Sequence, residues 1–144
     1  KPSPNGSGNG WSGWYKGWFF RSIHELSFMI NVIERFNFKW VTGEKKEHII
    51  QYYDFNNKLK NYFPDFILNE KYVVEIKPKR LFNSFVVKSK SKAAKEYCHK
   101  HGLKFKLICP NIIKTEIIKS KIENGEIVFM EKYDFKVKEW IKNN

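Results

Sequence analysis

The stretch that decides the fold is Tyr62-Phe63-Pro64-Asp65-Phe66-Ile67-Leu68, then Asn69-Glu70-Lys71, then Tyr72-Val73-Val74-Glu75-Ile76-Lys77. It predicts two short strands joined by a tight turn, because two apolar, β-prone runs flank a turn-forming segment. Side chains alternate between the two faces of a strand, so Glu75 and Lys77 share a face. The hairpin can bring Asp65 beside Glu75. Two carboxylates and one ammonium are therefore expected to converge.

This set of groups suits one kind of chemistry. Carboxylate oxygens bind hard divalent cations, and a bound cation beside an ammonium group can activate a water against a phosphodiester. The run around Glu75 is apolar, and burying charges in such a strand is costly unless they are paired or bind an ion. The alternative is a surface hairpin with an ordinary Glu and Lys on a solvated face.

The pattern Pro64-Asp65 with Glu75-x-Lys77 resembles the PD-(D/E)XK nucleases, the restriction-endonuclease-like superfamily. The resemblance implies a metal-dependent DNA endonuclease in which Asp65, Glu75 and Lys77 are catalytic. It implies that Asp65, Glu75 and the backbone carbonyl of Ile76 bind Mg²⁺, for which Mn²⁺ would substitute. It also implies products with 5′-phosphate and 3′-hydroxyl ends.

A helix is predicted from Ser22 to Phe36, with an apolar stripe at helical spacing. Ser22 is placed as the N-cap, and Glu25 follows three residues later, as in a capping box. The segment from Ser22 to Phe28 also resembles the Ser-x-x-Glu-x-x-Phe helix of the TnsA-like branch of the superfamily, which supplies a third acidic residue. Glu25 is therefore expected to be catalytic, and capping alone is the alternative.

The remaining pattern predicts short strands at 38–41 and 47–55, a helix at 84–100 and a strand at 103–109. The 47–55 strand is expected to pair with the strand that carries Asp65. The 103–109 strand follows a helical crossover, so it should run parallel to the Glu75 strand. This order, αβββαβ, is that of the restriction-endonuclease-like α/β fold, a mixed central sheet flanked by helices. A further helix is predicted over 111–121.

The chain is strongly basic, with 27 Lys and Arg against 15 Asp and Glu among 144 residues and a formal net charge of +12. A domain with this balance often binds a polyanion, and here we expect double-stranded DNA. The residues expected to contact phosphates follow the Glu75 strand: Lys79, Arg80, Lys88, Lys90, Lys92 and Lys95. An ordinary solvated helix face is the alternative for the helical lysines. The chain has no apolar run long enough for a membrane span, so no membrane partner is expected.

The first ten residues have the composition of a linker. Six aromatic residues follow among residues 11–20, broken by glycines, and no regular element is expected there. These rings are expected to pack on the domain, and a base-stacking platform is the alternative. The predicted organisation is a linker and aromatic arm over 1–19 and a nuclease domain over 20–144.

Two cysteines, Cys98 and Cys109, do not make a disulfide framework, and they fit a reducing cytoplasm. Cys98, His99 and His101 are close in sequence, but their spacing differs from common zinc motifs. We expect Cys98 to be a core thiol and both histidines to lie at the end of a helix.

The segment from Gly8 to Ser22 resembles the entry to the catalytic domain of phage homing endonucleases of the Hef type. This resemblance implies a mobile or homing endonuclease acting in a bacterial host cell. The chain starts with Lys1 rather than Met, and we expect an N-terminal DNA-binding region to precede it. A transposon end-cutting endonuclease, a Holliday-junction-resolving endonuclease and a non-catalytic DNA-binding module are the alternatives. A homodimer is expected if both strands are cut.

Overall fold

The computed structural model describes Pro4 and residues 10–144. The linker predicted at the N-terminus lies outside the described residues, apart from Pro4 and Gly10. The chain forms two compact units, Lys1–Arg35 with Pro110–Asn144, and Phe36–Cys109. Within the described part, none of the helices combines the length and the apolar character that a membrane crossing needs.

Both units contain strands and helices. The strands are β1 (Gly13–Tyr15), β2 (Trp18–Phe20), β3 (Trp40–Thr42), β4 (Ile50–Tyr53), β5 (Leu59–Tyr62), β6 (Phe66–Leu68), β7 (Tyr72–Ile76), β8 (Lys104–Ile108) and β9 (Ile127–Phe129). The α-helices are α1 (Ile23–Phe28), α2 (Phe85–His101), α3 (Thr115–Glu123) and α4 (Asp134–Asn143).

The aromatic segment before α1 is a hairpin, so the expectation that it has no regular element is wrong. Strands β1 and β2 pair antiparallel across Lys16 and Gly17, whose φ angles are 49° and 85°. Strand β1 also pairs with β9, which completes a three-stranded sheet. Trp11, Tyr15 and Phe20 are buried, which confirms packing for these rings. Gly17 suits its positive φ because it lacks a Cβ.

Helix α1 begins with the predicted capping box. The backbone N–H of Glu25 donates to Ser22 Oγ at 3.2 Å, and Ser22 has extended backbone dihedrals. The helix continues as a π-helix from Met29 to Glu34. The π-helix presents Glu34, whose Oε1 accepts a 2.6 Å hydrogen bond from the hydroxyl of Tyr15. This contact ties the helical segment to β1.

The second unit contains a four-stranded mixed sheet in the order β3-β6-β7-β8. Strands β3, β6 and β7 pair antiparallel, and β8 runs parallel to β7. The predicted order αβββαβ is confirmed by α1, β3, β6, β7, α2 and β8. Asn69 and Glu70 both have positive φ in the turn between β6 and β7, as the left-handed residues of a tight hairpin turn do.

Strands β4 and β5 form a separate two-stranded hairpin inserted between β3 and β6. The expectation that the 47–55 strand pairs with the strand carrying Asp65 is therefore wrong. Its partner is β5, which ends at Tyr62, and the chain leaves the strand conformation before β6 begins at Phe66. Pro64 lies in this break, and proline lacks the N–H that a continuous ladder requires.

Helix α2 has the predicted ends: Ser84 Oγ accepts from Val87 N–H, and Gly102 is left-handed with φ 67°. Its buried residues Ala94 and Cys98 form a core cluster with Ile50, Tyr62 and Val73. The prediction that Cys98 is a core thiol is confirmed. The helix therefore joins the β4–β5 hairpin and β7 in one core.

A helix is present in the region predicted over 111–121, but it begins later than predicted. Helix α3 begins only at Thr115, after Ile113 is buried with its N–H donating to Ser27 Oγ at 3.1 Å. The helical periodicity of the apolar residues does not show where this helix begins. The extended start of the segment is instead set by this long-range hydrogen bond.

Gly43 controls the backbone that carries Asp65. A Cβ at this position would overlap the carbonyl oxygen of Pro64 and lie 2.7 Å from Pro64 Cγ. Gly43→Ala should lower the free energy of unfolding by about 1–3 kcal/mol, the usual range for overpacking. It should also weaken stabilisation by Mn²⁺, because the Pro64-Asp65 backbone must move. Urea denaturation with and without Mn²⁺ measures both effects.

Gly13→Ala is the matched control. A Cβ at Gly13 would overlap the carbonyl oxygen of Val128, and both residues belong to the first unit, whereas Gly43 belongs to the second. It should lower stability and leave the Mn²⁺ effect unchanged. Wild-type stability in Gly43→Ala would contradict the close approach to Pro64.

Candidate active site

The β6–β7 hairpin brings Asp65 to Glu75. The register pairs Phe66 with Val74, so one step further along it Asp65 stands opposite Glu75. The backbone N–H of Asp65 donates to the carbonyl of Val74 at 3.1 Å. The N–H of Ile76 donates to Asp65 Oδ2 at 2.8 Å. Both the main chain and the side chain of Asp65 are therefore held by β7.

Glu75 is almost completely enclosed, with 6 % of its surface exposed. Its Oε1 accepts a 3.2 Å hydrogen bond from the hydroxyl of Tyr62. Its Oε2 lies 3.7 Å from Lys77 Nζ, an ion pair between positions i and i+2 of one strand face. The predicted meeting of Asp65, Glu75 and Lys77 is thus present in the structure.

Burial disfavours the charged forms of both carboxyl groups. Burial, followed by the charge of Asp65, raises the pKa of Glu75 to about 8. Burial also raises the pKa of Asp65, although the Ile76 N–H and the Lys77 ammonium act in the opposite direction. The pKa of Tyr62 is raised by burial and by the neighbouring Glu75, so its hydroxyl stays a donor. Two adjacent carboxyl groups with raised pKa values are common where a site binds a cation.

The donor set fits a hard divalent cation. Mg²⁺ takes oxygen ligands and retains several waters, so it needs only one or two carboxylates from a protein. Asp65 and Glu75 supply these, and a cation between them would offset the burial and the Asp65 charge that raise the pKa of Glu75. Among the described residues there is no group of three or more His, Cys, Asp and Glu side chains that could hold a metal. The predicted ligand set is a carboxylate pair with the Ile76 carbonyl.

The residues predicted to contact DNA separate into three positions. Lys79 and Arg80 are exposed on a 3₁₀ turn directly after β7 and Pro78. Lys88, Lys92 and Lys95 line one open groove of about 390 Å³ beside Phe82 and Leu107, and all three are exposed.

Lys90 takes the third position and differs from the other lysines of α2. It is partly buried, and its Nζ lies 5.6 Å from the ring centroid of Tyr52 and 5.4 Å from that of Tyr62. Its ammonium therefore belongs to the surroundings of Glu75 and not to the exposed groove.

Glu25 lies in the first unit, whereas Asp65, Glu75 and Lys77 lie in the second. Its local role is visible: it is the third residue of the capping box, and Glu25 Oε2 lies 3.5 Å from Ser22 Oγ. The prediction that Glu25 also serves the active site stays a prediction.

Sequence reasoning missed Tyr62 as a site residue and placed Lys90 with the other basic residues. Lys90 carries a signal that could have been found: it lies three residues after Val87 and four before Ala94, on the buried stripe of α2. A lysine in that stripe is unusual because lysine is rarely buried without a partner. Tyr62 carries no such signal, since a buried strand end explains an aromatic residue equally well.

A mixed sheet with an acidic pair and a lysine on its central hairpin is the arrangement of the PD-(D/E)XK endonuclease class. A family model described as TnsA-like endonuclease N terminal matches residues 31–109. The match covers more than half of the chain, and the chain belongs to this family. It includes Asp65, Glu75, Lys77 and all of α2, and Glu25 lies before it. No curated protein and no solved structure gives a significant match.

The raised pKa of Glu75 predicts how stability depends on pH. The neutral carboxyl is favoured in the fold, so its contribution is complete below the ordinary value of 4.5 and is lost as pH rises toward about 8. In EDTA, Glu75→Gln should therefore gain stability relative to the wild type between pH 5 and pH 8. Urea denaturation at both pH values measures this difference.

Glu70→Gln, in the exposed hairpin turn, is the control and should follow the wild type at both pH values. A difference between Glu75→Gln and wild type that does not change with pH would contradict the raised pKa.

Proposed function

We propose that this domain is a Mg²⁺-dependent endonuclease that hydrolyses phosphodiester bonds of double-stranded DNA. One observation carries the proposal: Asp65, Glu75 and Lys77 meet on the β6–β7 hairpin of a chain that belongs to an endonuclease family. The net charge of +12 supports a polyanionic substrate.

Asp65, Glu75 and the carbonyl of Ile76 would hold Mg²⁺, with Mn²⁺ as a substitute. When bound, the cation would lower the pKa of a water and offset negative charge on the phosphate. The chain itself keeps the two carboxylates in place: Ile76 N–H orients Asp65, and the Tyr62 hydroxyl orients Glu75. Groups fixed before the substrate arrives need no reorganisation during the reaction.

Lys77 supplies positive charge at the carboxylate pair. Its side chain is about one third exposed, so its ammonium can reach a substrate phosphate while it stays near Glu75. It would stabilise the charge that develops on the non-bridging oxygens. Water adds its oxygen to phosphorus, the bond from phosphorus to the 3′-oxygen breaks, and that oxygen takes up a proton. The products are a 5′-phosphate and a 3′-hydroxyl.

Substitution of the three site residues tests the assignment. Asp65→Asn, Glu75→Gln and Lys77→Met should each lower the rate of plasmid nicking or linearisation by about 100-fold or more, because each removes a charge that the reaction needs. Excess EDTA should abolish wild-type cutting, and Mg²⁺ or Mn²⁺ should restore it. Gel analysis of supercoiled plasmid measures the rate.

Glu70→Gln and Lys71→Met are matched controls, because they change the same charge types in the turn of the same hairpin. Both should cut at the wild-type rate. A site variant that also cut at this rate would remove its residue from the mechanism.

The exposed basic residues would form the path of the DNA. The charges that would neutralise phosphates are carried by the exposed residues Lys79, Arg80, Lys88, Lys92 and Lys95. Binding through them would be sensitive to salt and largely independent of base sequence. Cutting at one sequence would then need a further DNA-binding region.

Glu25 is proposed as a third acidic residue of the site, on the strength of the resemblance of Ser22–Phe28 to the TnsA-like helix. Glu25→Gln separates this role from capping, because glutamine also completes a capping box. It should lower the cleavage rate at least tenfold with little change in melting temperature. Wild-type cleavage by this variant would leave capping as the whole role of Glu25.

A second candidate is a transposon end-cutting endonuclease that works with a transposase. The family match favours it over a phage homing endonuclease of the Hef type, because the matching model is TnsA-like. The homing proposal rests on the resemblance of residues 8–22 alone. Cleavage compared on transposon-end DNA, random linear duplex and a four-way junction distinguishes these roles from junction resolution. Binding without cutting on all three would leave a non-catalytic DNA-binding module.

We also propose the cytoplasm as the compartment, because Cys98 and Cys109 are not joined in a disulfide. A homodimer is proposed for cutting of both strands, and sedimentation in the presence of DNA tests it.

A further inference from the structure

Lys90 lies at a position where the helical periodicity of α2 predicts an apolar residue. The buried stripe of α2 contains Val87, Ala94 and Cys98, and Lys90 lies between the first two at helical spacing. Lys88, Lys92 and Lys95 lie on another face and are exposed. A partly buried lysine has lost water around its ammonium, so other groups must stabilise the charge.

Two tyrosines hold this ammonium. The Nζ of Lys90 lies 5.4 Å from the ring centroid of Tyr62 and 5.6 Å from that of Tyr52. A cation within about 6 Å of an aromatic centroid is attracted to the ring face. Both rings come from the inserted β4–β5 hairpin and contact the core under α2. The Lys90 ammonium is therefore confined, unlike that of a surface lysine.

The same arrangement reaches the carboxylate pair. The hydroxyl of Tyr62 donates to Glu75 Oε1, so one side chain contacts both Lys90 and Glu75. Burial and the charge of Lys77 lower the pKa of Lys90, while Glu75 and Asp65 raise it. These four charged groups act on one another, and Lys90 is part of the electrostatics of the site.

We propose that Lys90 is a second lysine of the active site, whose ammonium binds a non-bridging oxygen of the phosphodiester that is cut. Tyr52 and Tyr62 are positioning residues that aim the ammonium. The proton stays on Lys90, and no bond to it forms or breaks. Lys77 and Lys90 approach the carboxylate pair from β7 and from α2, so together they hold the phosphate from two directions. This inference rests on the proposed function.

Lys90→Met and Lys100→Met form a matched pair, because both remove one positive charge from α2 and retain an unbranched stem, and Lys100 is exposed in the last turn of the helix. The experiment measures single-turnover cleavage of a short labelled duplex at saturating enzyme in Mg²⁺. Lys90→Met should lower the saturating rate at least tenfold. Lys100→Met should retain the wild-type rate. Lys92→Met, at a proposed phosphate contact, should weaken binding, with a salt slope smaller by about one.

Melting temperatures accompany both variants. If methionine destabilises the fold, Lys90→Gln is the second variant, and the same loss of saturating rate is expected. Tyr62→Phe should lower the saturating rate less than Lys90→Met, because the ring remains and only the hydrogen bond to Glu75 is lost. A saturating rate for Lys90→Met equal to that of Lys100→Met would overturn the proposal and make Lys90 an ordinary phosphate contact.

Failure of the proposed function has a different signature. A wild-type domain that cuts no DNA in Mg²⁺ or Mn²⁺ would contradict the nuclease proposal itself. In that case, the thermal shift produced by Mn²⁺ alone tests whether Lys90 lies near Asp65 and Glu75. Lys90→Met should bind Mn²⁺ several-fold more tightly than wild type, because a cation near Asp65 and Glu75 is gone, and Lys100→Met should not. Unchanged Mn²⁺ affinity in Lys90→Met would overturn the placement.

Discussion

Two carboxyl groups enclosed side by side, Asp65 and Glu75, are the constraint on which the rest of this structure depends. Burial disfavours the charge of both, and the charge of Asp65 further disfavours that of Glu75. A fold tolerates such a pair only when nearby donors and cations compensate. Ile76 N–H, the Tyr62 hydroxyl and Lys77 provide this compensation. In the function proposed above, a bound Mg²⁺ would add to this compensation.

Strand β7 serves the core and the site at once. Val73 and Val74 are fully buried, and the same strand carries Glu75 into the site. Antiparallel β6 on one side and parallel β8 on the other fix its backbone. A shift of one residue in register would move every side chain of β7, Glu75 included, to the other face of the sheet. The position of Glu75 is consequently as rigid as the core itself.

The basic residues of the second unit would serve two purposes in the proposed nuclease. The exposed lysines around the groove of α2 would attract a polyanion from a distance that depends on the salt concentration. Lys77 and Lys90 are instead held by contacts, the first beside Glu75 and the second over two tyrosine rings. Long-range attraction requires only net charge, whereas stabilising charge at one phosphate requires a fixed ammonium. The β4–β5 hairpin helps to fix the Lys90 ammonium, because it supplies both tyrosine rings.

The sequence by itself determined the features that depend on near neighbours: the β6–β7 hairpin with Asp65, Glu75 and Lys77, the capping box at Ser22, the ends of α2 and the parallel strand β8. Turn residues, caps and strand alternation act within a few positions, so a local pattern specifies them. Only the tertiary structure decided that β5 breaks from β6, that the aromatic arm pairs with β9, and that Tyr62 and Lys90 lie beside Glu75. Those contacts join distant parts of the chain. They form because both partners become buried together, and local periodicity does not encode this.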